Sequence, residues 1–262
     1  MSGLLGSLFG AAKAGSELDE SAWTEVTGLP VFDGLHVEHR LRLRQVAQDI
    51  LRDKQFSGAA GLSLDAYKVT AIAIFAALPV LELGADAYGD WVEVIVYPGE
   101  FLYEGHETGP DGVVHHVRHA RSGEAMAGGP LVLSWQDVAA SGAAEGFNVV
   151  IHEFAHKLDM KNGAVDGLPP LHSGMSVAGW AAAFNAAYKD FCRRVDLGED
   201  TEIDPYAAES PAEFFAVLTE CFFEVPDLLG AAYPAVYEQM RLFYKQDPLA
   251  RLESLEHDPA TP

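Results

Sequence analysis

A chain of 262 residues with 49% hydrophobic and 21% charged side chains can bury a sizeable core and is not a mostly disordered polypeptide. Its 39 acidic groups stand against 17 Lys and Arg, a formal charge of -22, which disfavours counterion-release binding to nucleic acid or to an anionic membrane surface. Cys192 and Cys221 lie far apart inside apolar stretches and read as reduced, buried thiols, so the expected compartment is a reducing cytoplasm.

In chain order, residues 1–20 read as a flexible tail. Leu4 to Ala12 is weakly apolar but has no basic stretch before it, so it is not taken as a signal peptide. From Leu35 to Arg52, Leu41, Leu43, Val46, Ile50 and Leu51 recur among charges at helical spacing and predict an amphipathic helix. Asp65 to Leu78 predicts a second, largely buried one. The apolar run Val69 to Leu83 is too short to span a bilayer and contains Pro79. Trp91 to Tyr97 alternates and is β-branched, Val113 to His119 reads as a second strand and Pro130 to Leu133 as a third, together a small antiparallel sheet. After Glu145 the pattern is helical, over Phe147 to Met160, Val177 to Val195, Pro211 to Phe223 and Ala231 to Tyr244, and residues 252–262 form a second tail. The expected architecture is α+β and mainly helical, a single domain over residues 21–251.

The chemistry lies in NVVIHEFAHKLDM, which contains His152, Glu153 and His156 as His-Glu-x-x-His. Histidines four apart on a helix project from one face, so their imidazole nitrogens can reach one zinc ion. Glu153, next to the first histidine, is placed to take a proton from a water that the metal acidifies. No proline or glycine interrupts this helix, as the motif requires. A catalytic site needs a third protein ligand. The continuation His-x-x-Gly-x-x-His is absent, because Asp159 stands where the glycine would be and Asn162 where the third histidine would be, which excludes a metzincin-type site.

The remaining donors are Asp159, Asp166, His172, Glu209, Glu213 and Glu220. Asp159, three residues after His156, suits a role orienting a histidine at least as well as ligation. His172 sits in a Pro- and Gly-rich loop and reads as exposed. Glu213 opens an apolar helix that can lie against the motif helix, with Glu209 and Glu220 as alternatives. Yet Ser210, Pro211 and Glu213 also spell a capping box, in which Glu213 would only satisfy a backbone N–H.

The stretches VIVYPGEF (Val94 to Phe101), LSWQDV (Leu133 to Val138), NVVIHEFAHKLDM and DPYAAESPAEFFAV, in this order, resemble the Mlc titration factor A family of zinc metallopeptidases over roughly Leu29 to Leu249. The resemblance implies one zinc ion held by His152, His156 and Glu213, with Glu153 as general base and Tyr206 as a tyrosine at the site. It also implies a catalytic core similar to that of the anthrax lethal factor protease. Aminopeptidase activity on small artificial substrates is associated with the family, and its prototype binds the repressor Mlc. The expected protein is thus a cytoplasmic single-zinc metallopeptidase acting on peptides or proteins. The alternative is a regulatory protein that sequesters a transcriptional repressor of the Mlc type around a structural or vestigial zinc.

Tyr206 would donate its phenolic O–H to the oxyanion formed on the scissile carbonyl. Gly129 to Ser134 is a candidate edge strand for holding an extended peptide. His115, His116 and His119 do not converge easily on a second metal, since successive strand residues face opposite sides. Phe214, Phe215, Phe222 and Phe223 read as helix core.

Overall fold

The computed structural model describes residues 17–108 and 114–256, with side chains for all of these except 102–121 and 256. Helix α1 (Glu20–Val26) starts on Asp19, whose carboxylate accepts the Ala22 N–H at 2.9 Å. Helix α2 (Val37–Asp53) buries Leu43, Val46, Ala47, Ile50 and Leu51, a stripe at helical spacing. Leu41, expected in that stripe, is exposed because it precedes Leu43 by two positions and so lies on the opposite side of the helix. Strand β1 (Gln55–Gly58) leads into helix α3 (Ala66–Ala77), which is capped by Asp65 and buried on every side from Val69 to Ala77.

Strand β2 (Glu93–Tyr97) follows α3 and pairs with β1 in parallel, as a strand–helix–strand connection requires. Strands β3 (Phe101–Thr108) and β4 (Val114–Arg121) form a separate antiparallel pair. Strands β5 (Gly123–Ala125) and β6 (Leu131–Ser134) complete a sheet of order β1-β2-β6-β5, with β6 parallel to β2 and antiparallel to β5. Of the three strands expected to form one antiparallel sheet, β2 and β6 instead pair in parallel and β4 lies outside their sheet; antiparallel pairing occurs at β5–β6 and β3–β4, while the centre of the sheet is parallel. The reason is connectivity: α3, and then the excursion through β3, β4 and β5, return the chain to the same end before the next parallel strand begins. All four residues of β6 are buried between two neighbours, so Gly129 to Ser134 is no edge strand; β5 occupies that edge. His115, His116 and His119 belong to β4, and their side chains lie outside the described residues.

The helical half comprises α4 (Trp135–Ala140), α5 (Val149–Asp159), α6 (Val177–Asp196), α7 (Pro211–Glu224), α8 (Pro226–Ala232), α9 (Pro234–Tyr244) and α10 (Pro248–Glu256). The single helix expected over Ala231 to Tyr244 is split, because Pro234 lacks an N–H and opens α9 while Tyr233 takes a non-helical backbone. Helix α7 is buried through most of its length. Its Phe214 and Phe215 meet Phe184 and Trp180 of α6, and Phe222 and Phe223 meet Tyr244 of α9, the core role expected of them. Helix α5 packs against α7 on one side and α3, β5 and β6 on others, so the motif helix lies at the centre of the molecule. No helix among the described residues is long and apolar enough to cross a membrane. Cys192 and Cys221 are both free thiols, Cys221 buried.

Candidate metal centre

Asn148 starts α5 by accepting the Ile151 N–H on its side-chain oxygen at 3.1 Å. One turn apart on this helix, His152 and His156 bring their Nε2 atoms within 3.2 Å of each other. Ser210 starts α7 by accepting the Glu213 N–H at 3.1 Å, and Pro211 takes the first helical position. Half of the expected capping box is thus present, but the Glu213 carboxylate points elsewhere. Its Oε2 lies 3.0 Å from His152 Nε2 and 3.2 Å from His156 Nε2.

Among the described residues these three side chains form the group able to hold a metal ion, their donor atoms all within 4.8 Å of one another. A tetrahedral ion with bonds of about 2.0–2.1 Å needs donor–donor edges of about 3.3 Å. The observed edges of 3.0, 3.2 and 3.2 Å come close to that spacing. Two imidazoles and one carboxylate also match the donor set of a hydrolytic zinc site.

Electrostatics point the same way. Burial works against charge on His152, but the Glu220 carboxylate and hydrogen bonds to Glu213 and Glu220 outweigh it and raise its pKa well above the ordinary value. Burial likewise disfavours ionised Glu213, yet hydrogen bonds from His152 and His156 hold it below the usual carboxylate range. The cluster attracts positive charge to the space between its donor atoms, and a divalent cation can take the place of that proton.

Glu153 is 5% exposed, and its Oε2 has no hydrogen-bond partner among the described residues. Burial raises its pKa, with His152 and His156 opposing. It borders a cavity of about 280 Å³ together with Ser122, Gly123, His152, Tyr206 and Glu220. Gly123 of β5 is required by this packing: a Cβ there would lie 2.6 Å from Glu153 Cγ and 2.7 Å from Cδ. Lys157 secures the same strand pair, donating from Nζ to the carbonyls of Met126 and Gly129 at 2.8 and 2.9 Å; burial lowers its pKa to about 8. Tyr206 stands on a short turn whose Asp204 side chain accepts the Tyr206 N–H at 2.9 Å. The residue is 47% exposed, and its ring is centred 6.1 Å from that of His152.

The other candidate donors stand apart from the triad. Glu209 and Asp166 are exposed, Asp159 is buried, and His172 stacks on Phe243 and donates to its carbonyl at 2.7 Å. Glu220 has a different place: its Oε1 lies 2.8 Å from His152 Nδ1, and its other oxygen accepts the Asn148 N–H. The carboxylate fixes the tautomer that leaves His152 Nε2 for a metal. Glu224 accepts from the Asn148 side chain and from the Ala144 N–H, each at 2.8 Å. Glu213, Glu220 and Glu224 fall at i, i+7 and i+11 on α7, one face, which is the sequence signal by which the supporting pair could have been found. The role of Gly123 has no such signal.

A model of the family described as glucose-regulated metallo-peptidase M90 matches residues 11–245. Similar proteins include a Mlc titration factor A of Escherichia fergusonii, 38% identical over 246 residues and covering 93% of each chain. One of Serratia proteamaculans is 41% identical over 237 residues, covering 89% of this chain and 90% of its own. Matches of this extent, on a chain whose helices α5 and α7 together bring a donor set suited to a metal, place the protein within the M90 metallopeptidase family.

Proposed function

We propose that the protein is a zinc-dependent metallopeptidase, aminopeptidase-like in its preference and cytoplasmic. The observation that carries this reading is the convergence of His152 Nε2, His156 Nε2 and Glu213 Oε2 beside a buried glutamate with an unpartnered oxygen. His152, His156 and Glu213 hold the ion, which when bound supplies Lewis acidity and brings the pKa of water towards neutrality. Glu153 takes the proton of the attacking water on its Oε2 and returns it to the leaving amine. Tyr206 donates its O–H to the oxygen of the scissile carbonyl as negative charge develops there. Free thiols at Cys192 and Cys221 suit a reducing compartment.

The test pairs the parent protein with Glu153→Gln, measuring zinc content by elemental analysis and hydrolysis of aminoacyl and internally quenched peptides. One zinc in each and cleavage by the parent alone support the reading. Stoichiometric zinc with no cleavage by either favours a second reading, for which the relatives' name speaks: a protein that sequesters a repressor of the Mlc type. A binding module has no need of a buried base beside the first histidine, and so Glu153 favours the enzyme.

A further inference from the structure

The two histidines of the triad differ in what holds their far nitrogens. His152 Nδ1 has Glu220 at 2.8 Å, whereas His156 Nδ1 is buried with no hydrogen-bond partner among the described residues. One turn further along α5, Asp159 is fully buried, and its Oδ1 is likewise without a partner among them. A buried imidazole nitrogen and a buried carboxylate oxygen on one helix face are complementary, and each is costly to leave unmade. Asp159 does not belong to the donor triad itself.

The other oxygen of Asp159 is committed. Oδ2 accepts the Gly167 N–H at 2.8 Å, and the Gly167 carbonyl accepts the Trp180 indole N–H at 2.9 Å. Gly167 has φ +77°, and a Cβ on it would lie 3.1 Å from the Pro211 carbonyl carbon and closer still to its oxygen. Pro211 begins α7, two residues before Glu213. Asp159 therefore stands between the second histidine and a loop pressed against the start of the helix that carries the third donor.

We propose that Asp159 is a positioning residue of the metal centre: through one buried water its Oδ1 accepts from His156 Nδ1–H, while its Oδ2 pins the Gly167 loop against the Glu213 end of α7. A water suits the link because the two atoms are not in direct hydrogen-bond contact and both are polar and enclosed. The link selects the His156 tautomer that presents Nε2 to the metal, as Glu220 does for His152. This inference rests on the metallopeptidase reading above.

The experiment measures zinc affinity of the full chain by competition with a chromophoric chelator, for the parent and for Asp159→Asn. Asparagine keeps an acceptor for the Gly167 N–H but removes the carboxylate. Affinity is expected to fall about 10- to 100-fold while the metal-free proteins melt at similar temperatures. Unchanged affinity, or a loss confined to the stability of the metal-free protein, would overturn the proposal. A parent that binds no zinc overturns the metallopeptidase reading itself, a separate outcome from equal binding by both proteins. Where Asp159→Asn does not fold, nitrogen-15 spectra of histidine in the zinc-loaded parent decide: a slowly exchanging His156 Nδ1–H supports the link, and an unprotonated or freely exchanging Nδ1 contradicts it.

Discussion

Gly123→Ala isolates the contact between β5 and buried Glu153, the proposed base. Gly123 does not have a positive φ, so alanine meets no backbone strain and acts only through its Cβ. That atom would lie 2.6 Å from Glu153 Cγ and 2.7 Å from Cδ, against ordinary contacts of 3.4–4 Å. Glu153 must yield by about 1 Å, and because it is buried on its other sides it yields towards the cavity. Overpacking costs about 1–3 kcal/mol, and the free space in front of Glu153 puts this case near the lower figure. A base displaced by about 1 Å, in contrast, loses on the order of 100-fold in rate. The assay is steady-state hydrolysis by Gly123→Ala with zinc content and a thermal melt measured on the same samples. The expected result is full zinc, a small loss of melting temperature and kcat lowered about 100-fold. Wild-type kcat in a folded, zinc-loaded variant would refute the view that this glycine sets the position of Glu153.

Three further outcomes follow from the same geometry. Tyr206→Phe removes the proposed oxyanion donor without touching the triad, so kcat should fall about 100- to 1,000-fold with zinc binding unchanged; equal kcat would remove Tyr206 from the chemistry. Glu220→Gln weakens the partner of His152 Nδ1, and zinc affinity by chelator competition should fall about 10- to 100-fold, whereas unchanged affinity would make Glu220 a folding residue only. Burial pushes Glu224 up to about 7, above its ordinary 4.5, so its contribution is fully present below pH 4.5 and is lost as pH rises through 7. That window is worth about 3 kcal/mol, and denaturant titrations at pH 5 and pH 8 should show a smaller drop for Glu224→Gln than for the parent; parallel drops would contradict the assignment.

Much of the candidate metal centre is legible in local pattern. His152 and His156 sit at a spacing that a helix brings one turn apart on one face, and Asn148 as N-cap fixes where that helix begins. Ser210 and Pro211 announce the start of α7, but the pattern cannot say whether Glu213 turns back to its own backbone or outward to the histidines. That choice is made by the packing of α7 against α5, a tertiary fact. The sheet was less legible for a related reason. β1 and β5 have four and three residues, too few for alternation to register, and the parallel centre depends on α3 and a long excursion to bring distant segments together. Pro234, by contrast, was a local signal, and it does end one helix and begin the next.

The most direct test of the metal centre is anomalous diffraction at the zinc edge from crystals of the full chain grown with stoichiometric zinc. One peak is expected within bonding distance of His152 Nε2, His156 Nε2 and Glu213, beside Glu153. A peak held by other residues, or none in a protein that binds zinc in solution, would contradict the assignment of these three side chains.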